Sequence, residues 1–169
     1  MSVWDGYGLS CQKPFWQRVF ALEAQLIRQY LPEQVPILSV GCGTCAVEKL
    51  LVRQGREILG LDPQMPLLRQ CPPGVQGIQG VAERLPFSPE RFSAVILLTS
   101  LNFISDPEQA LREALRVLQP GGVLLLLLLN QEDLWIQRQR ERDGSHFSRM
   151  RVIGVEELGG WLEGKVRMW

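Results

Sequence analysis

Short apolar runs alternate with amphipathic stretches along this chain. Most of the runs are continuous, as in strands covered on both faces, and they span residues 37–40, 57–62, 75–80, 94–98 and 123–129. Apolar residues recur at steps of three and four elsewhere, which predicts helices over residues 14–30, 45–53 and 107–118. Shorter helices are predicted after Pro63 and over residues 134–142 and 155–162. This order predicts an α/β fold with a mostly parallel sheet and helices on both faces.

Two of these helices carry signals at their ends. Asp106 can cap the helix that starts at Pro107, and Ser105 with Glu108 would form an alternative capping box one residue earlier. Gly55 is expected to end the helix that follows the first strand. The chain has 169 residues and no long linker, so residues 1–169 are predicted to form one domain.

Composition narrows the function classes. Apolar residues make up 46% of the chain, charged residues 21%, and the formal net charge is zero, so a nucleic-acid partner is not expected. The apolar run at 123–129 is too short to span a bilayer. The first residues lack a basic start followed by an apolar run, so the sequence predicts a cytoplasmic protein.

The four cysteines are Cys11, Cys42, Cys45 and Cys71. Without a secretory signal, structural disulfides are not expected. The Cys42-x-x-Cys45 spacing after an apolar strand leaves a thiol oxidoreductase open as an alternative. No second cysteine pair has zinc-ligand spacing, and His146 is the sole histidine, so no metal site is predicted.

The first strand runs into a glycine-rich segment, and the second strand ends in an acid. The segment is ILSVGCGTC at residues 37–45, and the acid is Asp62. Glycines allow a sharp turn and a close approach of backbone to a ligand, and an acid at the next strand tip can accept hydrogen bonds from ribose hydroxyls. The arrangement predicts a nucleoside-containing cofactor. Gly41, Gly43 and Ala46 also satisfy a loose dinucleotide fingerprint, so the loop alone does not separate a nicotinamide cofactor from S-adenosylmethionine.

Four downstream motifs decide between these cofactors. They are GVAERLPF at 80–87, FSAV at 92–95, FISDP at 103–107 and RVLQPGG at 116–122. In this order and at these gaps, the chain from about Tyr7 to Leu162 resembles class I S-adenosylmethionine-dependent methyltransferases. The type 11 branch, which includes ubiquinone and menaquinone methyltransferases, is the most similar. The resemblance implies a Rossmann-like sheet and a small-molecule methyl acceptor.

The resemblance also implies a set of cofactor-binding residues. Around the cofactor it implies Gly41, Cys42 and Gly43 at the methionine part, Asp62 at the ribose, Pro63 and Gln64 flanking the adenine, Val81 and Ala82 at the adenine edge, Leu98 and Thr99 beneath the sulfonium, and Tyr7 as an aromatic lid. No catalytic residue is implied, because a nucleophilic acceptor in a desolvated pocket needs little more than positioning.

The chain departs from the family pattern in ways that keep a second hypothesis open. The family usually has an acid at the position of Ser39, a glycine at that of Cys45 and an acid at that of Val81. The C-terminal end is also shorter than in related enzymes, which leaves the fifth strand as an open edge. These departures raise the alternative of a non-catalytic binding or scaffold protein, and the open edge predicts a homodimer.

Overall fold

A five-stranded parallel sheet forms the centre of the protein. The computed structural model describes residues 3–31, 36–52 and 57–166. The strands are β1 (Ile37–Val40), β2 (Ile58–Asp62), β3 (Val75–Gln79), β4 (Phe92–Leu98) and β5 (Leu118–Leu127). Their order in the sheet is β3-β2-β1-β4-β5, and every neighbouring pair is parallel. The predicted α/β class and sheet type are therefore confirmed.

Seven α-helices accompany the sheet. They are α1 (Val3–Cys11), α2 (Pro14–Tyr30), α3 (Glu48–Val52), α4 (Met65–Leu68), α5 (Pro107–Val117), α6 (Leu134–Glu141) and α7 (Val155–Leu162) in the described part of the chain. The bounds of α2 and α7 match the predictions. The sequence did not predict α1, because Gly6 and Gly8 weaken the helical pattern there. The side chain of Asp106 accepts a hydrogen bond from the Gln109 N–H at 3.0 Å, so Asp106 is the cap of α5.

The helices cover both faces of the sheet, as predicted. On one face, α2 and α3 pack on alternate strand residues such as Ile37, Ile58 and Ile96. On the other face, α5 and α7 pack on the strand residues that alternate with these, such as Leu38 and Leu59. Because helices cover both faces of the sheet, a ligand can bind only at the edge where the parallel strands end.

The loop between β3 and β4 is held against α5. Leu85 and Phe87 are buried in the core. Arg116 donates to the carbonyl oxygens of both residues, and Glu113 accepts a hydrogen bond from the Leu85 N–H at 2.8 Å. These contacts fix the chain that leads from the end of β3 back to the sheet.

β5 lies at the edge of the sheet, as the sequence predicted. The homodimer inferred from that edge stays a prediction. The expected helix end at Gly55 and the last three residues lie outside the described part of the chain. No helix in residues 3–31, 36–52 or 57–166 is long and apolar enough to cross a bilayer.

Candidate cofactor site

The glycine-rich loop lies where β1 and β2 end. The N–H groups of Gly41 and Cys42 both donate to the Leu61 carbonyl oxygen, at 2.7 and 3.1 Å, which ties the loop to β2. Gly41, Gly43 and Cys45 have positive φ angles of 76°, 55° and 56°. This left-handed backbone corrects one expectation: α3 starts at Glu48 and not near Cys45, because Cys45 lies outside the helical region.

The Asp62 carboxylate joins the loop to the segment after β2. Its Oδ2 accepts a hydrogen bond from the Gly43 N–H at 2.9 Å, and its Oδ1 accepts one from the Gln64 N–H at 2.8 Å. Asp62 is 7% exposed, and this burial raises the pKa of its carboxyl group, while the two N–H donors oppose the rise. Each carboxylate oxygen has a second lone pair, so the group can accept two further hydrogen bonds.

Tyr7 lies over the loop. Its ring approaches within 3.3 Å of the point where a side chain on Gly43 would begin, and it stacks on His146 with ring centroids 5.0 Å apart. Its hydroxyl shares a hydrogen bond with Cys11, and burial raises the pKa of Tyr7. The structure therefore places Tyr7 at the loop, on a helix that the sequence did not predict, and its role as a lid over a cofactor stays a prediction.

The residues assigned to the adenine side follow the ends of β2 and β3. Pro63 is exposed, Gln64 is half-buried, and Ala82 is buried. The Gly80 N–H donates to the Asp62 carbonyl oxygen at 3.2 Å, so the chain after β3 lies beside Asp62. Val81, which is 46% exposed, lines a cavity of about 500 Å³ together with Gln79, Gly80, Arg84 and Pro86. Val81 is thus an apolar residue at a position where the family that the sequence resembles usually has an acid.

Leu98 and Thr99 lie at the end of β4, on the other side of the loop. Thr99 has a φ of 53° and donates its N–H to the Leu127 carbonyl oxygen at 2.8 Å. The residue that meets the loop is Ser100, whose hydroxyl donates to the Val40 carbonyl oxygen at 2.7 Å. Sequence reasoning missed Ser100, although a hydroxyl directly after a buried strand was a usable signal.

Glu48 is the second residue that the sequence did not reveal. Its side chain is 2% exposed, and its Oε1 accepts a hydrogen bond from the Ser39 hydroxyl at 2.6 Å. Burial raises the pKa of Glu48, and the Ser39 hydroxyl opposes the rise. Ser39 stands at a position where the family that the sequence resembles usually has an acid, and the carboxyl group of Glu48 lies beside it. The signal was a glutamate on the buried side of α3, three residues before Leu51.

Glu23 on α2 lies close enough to Glu48 for the charge of Glu48 to affect its pKa. Burial, and then Glu48, raise the pKa of Glu23 from 4.5 to about 7. The folded protein therefore holds a proton that the unfolded chain releases near pH 4.5. Its contribution to the free energy of unfolding is fully present below pH 4.5 and is lost as the pH rises through 7.

Glu23→Gln is expected to flatten this loss of stability. Urea unfolding between pH 5 and pH 8 should show a decline that is smaller by about 1–2 kcal/mol in the variant, after allowance for partial exposure. Glu141→Gln, on the exposed surface of α6, controls for the loss of one carboxylate. An equal slope in wild type and Glu23→Gln would contradict the assignment.

The sulfur pairing differs from what the sequence predicted. Cys45 and Cys71 form a disulfide with Cα atoms 5.0 Å apart, so the expectation of no structural disulfide is wrong. Cys42, the predicted partner of Cys45 in a C-x-x-C dithiol, is free. Burial, followed by Glu48 and Asp62, raises the pKa of Cys42 far above its usual range, which disfavours a thiolate nucleophile. The pairing arises because α4 carries Cys71 back to the loop.

A second cavity lies beyond the end of β4. Its volume is about 420 Å³, and its lining includes Asn102, Phe103, His146 and Arg149. Asn102 is structural, because its amide donates to the Arg151 carbonyl oxygen and accepts from the Leu129 N–H. Burial lowers the pKa of His146 to about 4, so its ring is neutral at pH 7. The cavity combines aromatic walls with two arginines, Arg149 and Arg151.

The predicted residues thus fall into two groups. Gly43 contacts Tyr7 and the Asp62 carboxylate, which also accepts from the Gln64 N–H, and Gly41 and Cys42 are bonded to the end of β2 next to Asp62. Pro63, Val81, Ala82, Leu98 and Thr99 lie around this centre at the ends of β2, β3 and β4. Their roles toward a bound molecule remain predictions.

Comparison with known proteins gives a consistent picture. The profile of a family described as a methyltransferase domain matches residues 38–126, which is more than half of the chain. An uncharacterized methyltransferase of Mycobacterium bovis is 30% identical over 116 residues, or 64% of this chain and 47% of that protein. A 2-phytyl-1,4-naphtoquinone methyltransferase of Thermosynechococcus vestitus is 36% identical over 107 residues, or 57% of this chain and 47% of that protein. The chain spans about half the length of these relatives.

A solved structure matches most of the chain. It is a S-adenosylmethionine-dependent methyltransferase of Thermotoga maritima, described as a possible histamine N-methyltransferase. The TM-score is 0.72 at 28% identity, over 85% of this chain and 68% of the other. At 85% of the chain, the similarity extends beyond residues 38–126, the range that the family profile matches.

Proposed function

The chain belongs to the methyltransferase domain family, and we propose that it transfers a methyl group from S-adenosylmethionine to a small molecule. The observation that carries the proposal is the Asp62 carboxylate, which bonds the glycine loop on one side and Gln64 on the other. S-adenosylmethionine supplies a methyl group activated on a sulfonium sulfur.

The donor set fits such a cofactor. The two lone pairs left on Asp62 match the two hydroxyls of a ribose. Gln64 and Pro63 follow on the adenine side, next to the 500 Å³ cavity at Val81. Backbone N–H groups after β3 can bond ring nitrogens there, and Val81 offers only apolar contact to the adenine edge.

The charges near the loop also suit this cofactor, which is a cation at its sulfonium and ammonium groups. Asp62 bonds the Gly43 N–H and Glu48 bonds Ser39, two residues before Gly41, so two carboxyl groups lie next to the loop. A negative field at this point attracts a cation and adds little for a neutral nucleoside. Because Glu48 bonds Ser39, we propose that it supplies the carboxyl group that an acid at position 39 would otherwise provide.

We place the methyl acceptor in the 420 Å³ cavity beyond β4. Phe103 and His146 pack edge to face at 4.4 Å, and Tyr7 stacks on His146, so the walls suit a small aromatic ring. Relatives named for naphthoquinone and ubiquinone methylation act on ring systems of this kind. With a neutral His146, positioning and exclusion of water are the contributions that these side chains make.

Isothermal titration calorimetry with S-adenosylhomocysteine tests cofactor binding. We expect one saturable site per chain, with a dissociation constant in the micromolar range and about tenfold or more discrimination against adenosine alone. Labelled S-adenosylmethionine with a panel of phenols and quinols then tests transfer. No heat at millimolar ligand would overturn the proposal, whereas binding without product on any acceptor would support the scaffold alternative.

A further inference from the structure

Three of the four cysteines bring their sulfur atoms to one point beneath the glycine loop. The Sγ atoms of Cys42, Cys45 and Cys71 all lie within 4.8 Å of one another. Two belong to the loop after β1, and the third follows α4. Apart from the contact predicted for Cys42 at the methionine part of the cofactor, neither the cofactor site nor the methyl acceptor cavity makes use of this cluster.

The backbone arranges the two loop sulfurs on one side. The Cys45 N–H donates to the Cys42 carbonyl oxygen at 2.9 Å, and Cys45 has a φ of 56°. This tight turn places both side chains over β2, as in the turns that carry C-x-x-C metal ligands. The turn is held by the main chain, so it does not depend on a sulfur–sulfur bond.

Gly60 makes the space for the cluster. A side chain at Gly60 would begin 2.7 Å from the Cys42 Sγ and 3.3 Å from the Cys45 Sγ. Cys45 is fully buried, and Cys42 and Cys71 are half-buried, so the cluster is shielded but reachable from one side. The floor of the cluster is therefore the bare backbone of a central strand.

A disulfide alone explains two of these sulfurs and leaves the third unexplained. In the oxidised protein, Cys45 and Cys71 are joined, and Cys42 stands beside them. Three sulfurs act together only in the reduced protein. We propose that the reduced cluster of Cys42, Cys45 and Cys71 binds one soft d¹⁰ metal ion, Zn²⁺ or Cu⁺.

The ligand type and spacing fit such an ion. Thiolates select Zn²⁺ and Cu⁺ over hard cations. A Zn–S bond of about 2.3 Å in tetrahedral geometry puts sulfurs about 3.8 Å apart, which lies within the span of the cluster. Cys45 and Cys71 move apart by side-chain rotation once their bond is broken. Three protein ligands leave one position of a tetrahedral ion for water or a solute.

The metal site forms in two steps, reduction of the disulfide and then binding of the ion. A small dithiol reductant gives two electrons and two protons to the Cys45–Cys71 bond, which breaks to two thiols while the reductant becomes a disulfide. The ion then replaces the thiol protons of all three cysteines, which leave to solvent. The metal does not change its oxidation state.

Competition with a chromophoric chelator tests the proposal on the full chain, reduced under nitrogen and without cofactor. We expect one Zn²⁺ or one Cu⁺ per chain, and Co²⁺ should give intense thiolate charge-transfer bands. Cys71→Ser and Cys42→Ser should each weaken binding at least 100-fold. Cys11→Ser is the matched control, because Cys11 is a buried cysteine outside the cluster, and it should bind like wild type.

Circular dichroism reports whether each variant folds, and Cys42→Ser leaves the disulfide pair intact if Cys71→Ser does not fold. Absence of saturable binding of either ion by the reduced protein would overturn the proposal. So would an equal loss in Cys11→Ser, since the site would then lie elsewhere. Because the readout is metal binding, failure here leaves the methyltransferase proposal untouched.

Discussion

Gly41→Ala is expected to destabilise the protein by about 3 kcal/mol or more and to abolish nucleoside binding. Gly41 has a φ of 76°, where an L side chain costs roughly 1–2 kcal/mol. The new Cβ would also lie 2.4 Å from the Ser100 Cβ, far inside van der Waals contact. Overpacking of this kind adds about 1–3 kcal/mol. Ser100 cannot retreat freely, because its hydroxyl bonds the Val40 carbonyl oxygen.

Gly121→Ala separates the two causes. Gly121 has nearly the same φ, 75°, but nothing lies within 4 Å of the position that its Cβ would take. Urea denaturation should therefore show only the conformational cost, roughly 1–2 kcal/mol. In a double-mutant cycle, Ser100→Gly should recover part of the loss in Gly41→Ala. Equal losses in the two single alanine variants would show that the contact with Ser100 is unimportant.

Asp62→Ala is expected to lower the affinity for S-adenosylhomocysteine by about 100-fold or more. The substitution removes the acceptor for two backbone N–H groups, and hydrogen bonds to charged groups contribute roughly 1.5–3 kcal/mol each. The proposed ribose contacts go with it, and about 2.7 kcal/mol corresponds to 100-fold in affinity. The loop should also loosen, with a loss of about 2–4 kcal/mol in the free energy of unfolding.

Asp106→Ala is the matched control for this variant. Asp106 also accepts a hydrogen bond from a backbone N–H, but it does so at the start of α5. Its loss should cost about 1 kcal/mol of stability and leave nucleoside affinity unchanged. Calorimetry and urea unfolding on both variants measure the two effects separately. Unchanged affinity in Asp62→Ala would remove the basis of the proposed function.

The elements of the fold could be read closely from the sequence, because each follows from local patterns. Apolar runs indicated the strands, although β5 begins at Leu118, five residues before the run that predicted it, and the helical periodicity of α2 and α7 indicated their bounds. α1 was missed because two glycines hide its pattern, and the start of α3 was misplaced because Cys45 adopts a left-handed backbone that spacing does not reveal.

Part of the site could also be predicted. The glycine loop, Asp62 and Tyr7 were identified, and they meet in the structure. Ser100, Glu48 and Cys71 were not, because each acts through a partner that is distant in sequence. Ser100 contacts Gly41 from the loop after the neighbouring strand β4, Glu48 bonds Ser39 from a helix, and Cys71 reaches Cys45 over 26 residues.

The sequence by itself determined the alternation of strands and helices along the chain from α2 onward and the loop that begins the site, since local periodicity and turn chemistry act over a few residues. Only the tertiary structure decided which carboxyl group lies beside Ser39, which hydroxyl-bearing residue leaves no room for a side chain at Gly41, and which cysteines bring their sulfur atoms together. Those partners are chosen by the packing of helices on a parallel sheet, which brings together residues that no local pattern relates.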